Sequence, residues 1–103
     1  MRRWTTPTQR FLIHDVELTN CHVYLTISQG KNLVTFTDPV ISVVDGDSLV
    51  EFDFTQQDTS RFNVGSADAQ INWVTPSNKR MATDIYKIAI TKNLLQEEVQ
   101  YGE

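Results

Sequence analysis

Residues 48–62, Ser-Leu-Val-Glu-Phe-Asp-Phe-Thr-Gln-Gln-Asp-Thr-Ser-Arg-Phe, change from a two-residue period to a helical one, and this change constrains the fold more than any other stretch. Val50, Phe52 and Phe54 alternate with Glu51 and Asp53. A strand here turns three large apolar side chains to one face and two carboxylates to the other. The apolar face needs a second sheet to cover it. Thr55 and Asp58 then stand three apart, the spacing of a capping box, in which the threonine hydroxyl accepts an orphan backbone N–H and the acid reaches back. Phe62 follows, placed to plug the helical turn into the core. The unit reads as the edge of a sandwich, not as an active site.

The same alternation recurs along the chain. Residues 1–7 have no periodicity and end in Pro7, which predicts an extended arm running into a strand at Thr8–Ile13. Such an arm packs on a neighbour, or frays while Trp4 covers the edge of its own core. Cys21, Val23, Leu25 and Ile27 alternate with His22, Tyr24, Thr26 and Ser28, so one face is buried and the other wet. Gly30 and its polar neighbours turn the chain into a return strand over residues 33–37, stopped by Asp38-Pro39. Val40–Val44 and residues 49–54 form a hairpin about Asp45-Gly46-Asp47. Residues 69–74 bury Ala69, Ile71 and Trp73, and a long final strand over residues 82–92 buries Tyr86, Ile88 and Ile90. A tail over residues 93–103 starts as a short helix capped by Asn93. About seven short strands joined by turns predict one all-β domain over residues 1–103, a sandwich or barrel with one helical turn.

At 103 residues there is room for one modest core. A net charge of −4 and a pI near 5.0 argue against a nucleic-acid or anionic-membrane partner, since either surface would repel the overall field. The basic cluster Arg2, Arg3 and Arg10 sits in or beside the arm and suits an acidic protein surface. A lone cysteine, Cys21, forms no internal disulfide, which points to assembly in a reducing compartment. Residues 11–13 are too short an apolar run for an export signal, and no run approaches the roughly 20 residues of a membrane helix.

Candidate chemistry is sparse. Cys21 and His22, with His14 as a third donor, invite a metal, but neighbours on a strand point to opposite faces and no ligand-pair spacing occurs. A buried thiol and an exposed histidine are expected instead. Asp45, Asp47 and Glu51 lack the rest of a calcium loop. Glu51 and Asp53 stand roughly 7 Å apart by strand rise, a glycosidase-like separation, yet two charges on one strand face read as a solvated face. No nucleophile elbow, phosphate-binding glycine loop or triad order is found. We expect no enzyme activity, no metal and no cofactor. Surface contact is the open class: Gln70, Asn72, Val74, Ile85 and Ala89 point outward from the last strands, and Tyr24 lies on another wet face, suited to a protein or to stacking on a sugar.

Four stretches form a set: Thr6-Pro7-Thr8 with Phe11, Thr55-Gln56-Gln57-Asp58-Thr59 with Phe62, Gln70-Ile71, and Thr83-Asp84-Ile85 ahead of a final segment ending at residues 94–99. In these the chain resembles a group of small structural proteins, about a hundred residues long, of tailed bacteriophages and prophages of gut Gram-positive bacteria. Gln9 stands where such proteins have histidine, and Trp73 is bulkier than their usual residue. The order of elements is also similar to the immunoglobulin-like amino-terminal domains of phage baseplate upper proteins. The resemblance implies an immunoglobulin-like β-sandwich that serves as a capsid decoration, neck, baseplate or tail component, assembled in the host cytoplasm into the virion. Its partners would be other virion proteins and copies of itself. The interface candidates are Arg2, Arg3 and Trp4 of the arm, Tyr24, Val74 and Ile85 of the strands, and Leu95 and Tyr101 of the tail. A module binding host cell-surface glycan through Tyr24 is the alternative.

Overall fold

The computed structural model describes residues 1–102. It contains eight strands, β1 (Thr8–Ile13), β2 (His22–Gln29), β3 (Asn32–Phe36), β4 (Val40–Val44), β5 (Asp47–Asp53), β6 (Gly65–Val74), β7 (Arg80–Ala82) and β8 (Tyr86–Ile90), with one helical turn, α1 (Gln56–Ser60). All pairings between them are antiparallel. One sheet has the order β1-β5-β4; in the other, β6 is flanked by β2 and β3 on one side and by β7 and β8 on the other. The two sheets enclose a single cluster of buried side chains, so the chain forms the expected all-β sandwich.

The stretch with two periods is central rather than peripheral. Val50, Phe52 and Phe54 are buried, as the alternation requires, but β5 lies between β1 and β4 and is not a sandwich edge. The local hairpin supplies only β4; β1 closes the other side through the non-local register Phe11↔Val50. Asp45 and Gly46, with φ of 51° and 83°, both take the left-handed conformation of the tight two-residue turn that joins β4 to β5. The capping box forms as written: Thr55 Oγ1 accepts from the Asp58 N–H at 3.1 Å and the Asp58 carboxylate accepts from the Thr55 N–H at 2.8 Å. Phe62 is fully buried.

The long final strand is broken, which raises the strand count from seven to eight. Along β6 the partner of Asn72 is Ala82, and the partner of Ala69 is Tyr86, so the partner strand carries one extra residue between these points. This is a bulge. Thr83 spans it: its N–H donates to Ile71 O at 2.9 Å, and its hydroxyl accepts from the Ile71 N–H at 3.1 Å, standing in for the missing ladder carbonyl. Beyond the bulge Ile88 and Ile90 are buried, but Tyr86 is 38% exposed. It faces inward from an edge strand and rests on Phe11 of the opposite sheet, ring centroids 5.7 Å apart. At the other side of the sandwich Phe36 meets Phe54 edge-on at 4.6 Å. These two contacts tie sheet to sheet at both flanks.

Two buried polar side chains fasten the irregular segments. The Ser48 hydroxyl donates to Val16 O at 2.7 Å and accepts from the Leu18 N–H at 3.0 Å, which holds the β1–β2 connection against β5 and places Leu18 in the core. Thr59 Oγ1 accepts from the Thr5 N–H at 3.0 Å and approaches Thr5 O at 2.9 Å and Gln56 O at 3.2 Å. Replacing Ser48 by alanine strands the buried Leu18 N–H and the part-buried Val16 carbonyl at once. We expect Ser48→Ala to lower the unfolding free energy by about 1–3 kcal/mol in urea titrations, with an unchanged m-value.

Candidate interaction surface

The register between β2 and β6 decides what the outer face of the five-stranded sheet looks like. Tyr24 stands opposite Asn72, His22 opposite Val74 and Thr26 opposite Gln70. Residues paired across an antiparallel ladder share a face. Tyr24 therefore lies on the same face as Gln70, Asn72 and Val74, not on a separate one. The expectation of two wet faces fails because alternation within a strand fixes its two faces but not which strand lies beside it.

Two shallow depressions run along this face and meet at Thr26. One is lined by Tyr24, Thr26, Thr35, Asn72, Val74 and Arg80. The other is lined by Thr26, Ser28, Leu33, Gln70 and Ile85, with Asp68 and Ala69. Tyr24 and Val74 are half-buried in the floor, whereas Leu33 and Ile85 are 68% and 61% exposed on the rim. Thr26 and Thr35 hydroxyls lie 3.1 Å apart, and the Arg80 guanidinium lies 3.4 Å from Asn72 Oδ1. An aromatic ring with aliphatic neighbours and a surrounding set of hydroxyl, amide and guanidinium groups can pack on an apolar side chain or a flat sugar face while exchanging hydrogen bonds at the margin. Leu33 is the member that the sequence reading missed. Its place opposite Ser28 on β2 is the missing information.

The acidic face of the three-stranded sheet is different in kind. Arg10 Nε lies 3.0 Å from Glu51 Oε2, and Thr8 Oγ1 donates to Asp53 Oδ1 at 2.5 Å. The two carboxylates with glycosidase-like spacing are thus each matched to a cross-strand partner on an open sheet face. Asp47 accepts the Asp15 N–H at 2.8 Å, and its other oxygen lies 3.1 Å from His14 Nδ1. The backbone bond, and after it the histidine bond, hold the Asp47 carboxyl below the ordinary aspartate value.

Cys21 and His22 line a cleft between the entrance of β2 and the β3–β4 connection, with Thr19, Thr37, Asp38 and Pro39. Cys21 is half-buried there rather than buried, because it precedes the first residue of β2 and so stands at the mouth of the core. Among the described residues, no three His, Cys, Asp or Glu side chains are grouped to hold a metal ion. No helix of the described residues is long and apolar enough to cross a membrane.

The terminal candidates are tied to their own chain. Arg2 bridges Thr91 in parallel pairing, the Arg3 N–H donates to Thr91 O at 3.0 Å, and the Arg3 guanidinium donates to Ser60 O at 2.9 Å. Trp4, at φ 62°, turns the segment toward Thr59 and is half-buried with its Nε1 unpartnered. Residues 1–5 are thus held across the end of β8 and α1 rather than extended as an arm. The expected tail helix does not form. Asn93 Oδ1 accepts only the Leu95 N–H, and further on the Gln56 amide grips Val99 at both backbone groups, at 2.9 and 2.7 Å. That two-point grip lays the segment along α1 in open conformation. Leu95 is half-exposed and Tyr101 fully exposed, while Glu103, the last residue of the expected tail, lies outside the described residues.

Comparison with protein-family models, with curated proteins and with solved structures finds no match to this chain.

The Asp47 contacts give a pH dependence of known sign. A carboxyl whose folded pKa is lowered contributes stability above its unfolded pKa, near about 3.9, and loses that contribution as pH falls through the folded value. Urea midpoints measured from pH 5 down to pH 2 should therefore fall, and Asp47→Asn should flatten the profile while lowering stability at neutral pH.

Proposed function

We propose that the chain is a non-enzymatic structural component of a bacteriophage particle, acting through protein contacts, and that the outer face of the five-stranded sheet is its principal contact surface. The observation that carries this reading is the composition of that face: a rigid sheet presenting Tyr24, Val74, Ile85 and Leu33 within a polar surround. A patch with an aromatic and aliphatic centre and a polar margin suits a protein partner. Support also comes from the opposite face, where Glu51 and Asp53 are each matched to a cross-strand partner rather than set in an apolar cleft. The resemblance to small phage structural proteins, with the immunoglobulin-like character that it implies, belongs to the same reading, as does assembly in the host cytoplasm, which suits the unpaired thiol of Cys21.

A glycan-binding module is the second reading, favoured by the placement of Tyr24 beside Asn72, Arg80 and the paired threonine hydroxyls. Peptide mass spectrometry of purified particles of the phage encoding the chain should find it in a fixed ratio to the major capsid protein. Val74→Asp, with retained fold, should reduce that ratio at least about tenfold, as loss of a central contact residue does. Absence from the particles overturns the proposal. Retention on host cell-wall glycan that is lost in Tyr24→Ala moves the assignment to the second reading.

A further inference from the structure

A sandwich of two open sheets has free edges, and in this protein two edge strands, β3 and β4, carry no charge within the strand. Edge strands carry unpaired backbone donors and acceptors, and soluble proteins guard them with charge, proline, bulges or covering segments. Here β1 carries Arg10. β3 is also uncharged, but Lys31 immediately precedes it and its first side chain, Asn32, is tied to Arg61 O at 2.8 Å. The β7–β8 edge carries Arg80 and Lys87, is interrupted by the bulge, and ends under residues 1–3. β4 has the sequence Val-Ile-Ser-Val-Val; Pro39 guards only its entry, and the strand itself has no charge, no proline, no bulge against β5 and no side-chain tie across its edge.

The side chains of β4 show the same incompleteness. Val43 pairs with the buried Ser48, so it faces the core side, yet it is 47% exposed. This core-side position is therefore left half open at the edge of the sandwich.

We propose that β4 pairs antiparallel with β4 of a second copy of this chain. One register overlaps all five residues: Ser42 opposite its own counterpart, Ile41 opposite Val43, and Val40 opposite Val44. This register also keeps the core-side positions together, since Ile41 and Val43 both face inward, while Val40, Ser42 and Val44 share the outer face. The uncharged edge allows two copies of a chain with net charge −4 to meet without placing like charges opposite each other within the strand. Each copy has one such edge, so the pairing is two-fold and closes at a dimer. The two three-stranded sheets become one six-stranded sheet. The proposal concerns a different surface from the one assigned to the particle contact and stands independently of it.

Sedimentation velocity over about 1 µM to 500 µM, a range that brackets weak to moderate association, should show a monomer passing to a dimer and no further. Val43→Lys, an edge charge of the kind that blocks strand pairing, should shift this passage to at least about tenfold higher concentration with an unchanged circular dichroism spectrum. If Val43→Lys does not fold, the outward-facing Val40→Lys takes its place. In a Cys21→Ser background, Ser42→Cys should give a disulfide-linked dimer on mild oxidation, because opposed residues of an antiparallel pair have Cα atoms about 4.5–5.5 Å apart, within disulfide range. The equivalent Thr35→Cys on β3 should not. A strict monomer across the range overturns the proposal. So does a dimer that neither lysine variant weakens and Ser42→Cys does not trap, or an assembly that grows past two copies.

Discussion

The fold rests on covering one strand face. Val50 and Phe52 of β5, with Phe54 just beyond it, have no value as a strand in water; they become stabilising only when Val23, Leu25 and Ile27 of β2 and Ile71 of β6 lie across from them. Burying each large side chain is worth about 1.5–3 kcal/mol, so this one cluster outweighs any surface pair in the molecule. The remaining elements serve that contact. β1 and β4 flank β5, α1 drives Phe62 under the sheet, and the two aromatic contacts close the flanks. Ser48 and Thr59, both buried and polar, each satisfy backbone groups of an irregular segment that would otherwise be stranded next to the core.

Covering that face leaves two surfaces with different chemistry. The outer face of the five-stranded sheet has a half-buried aromatic centre and a hydrogen-bonding margin, suited to side-chain recognition. The free edge of β4 offers backbone groups and small apolar side chains, suited to strand pairing. An antiparallel pairing through β4 keeps each sandwich on the same side of the joined sheet. Both Tyr24 faces would then point the same way, and a weak contact made by each becomes a stronger one made by two.

Much of the candidate surface was legible as pattern. Tyr24, Val74 and Ile85 stand out as wet-face positions by alternation alone, since a strand's side-chain period is two wherever the strand lies. Their convergence was not legible, because β2 and β6 are far apart in the sequence and nothing local states that they pair. The terminal candidates differ again. Residues 1–5 read as an arm because they lack periodicity, yet they are fixed by Thr59, Ser60 and Thr91, partners whose nearness only the folded chain creates.

The sequence by itself determined the elements whose information is local: the alternating strands, the Asp45-Gly46 turn with its two left-handed residues, and the capping box of Thr55 and Asp58. Each depends on groups a few residues apart, so the residue types suffice. Tertiary structure decided the rest. It made β5 central by bringing β1 to its free side, and it broke the last strand with a bulge because Thr83 could replace a ladder carbonyl for Ile71. It replaced a tail helix with an open segment by giving Val99 to the side chain of Gln56. These outcomes turn on competition between distant partners for the same backbone groups, and a competition of that kind is settled only when the whole chain is packed.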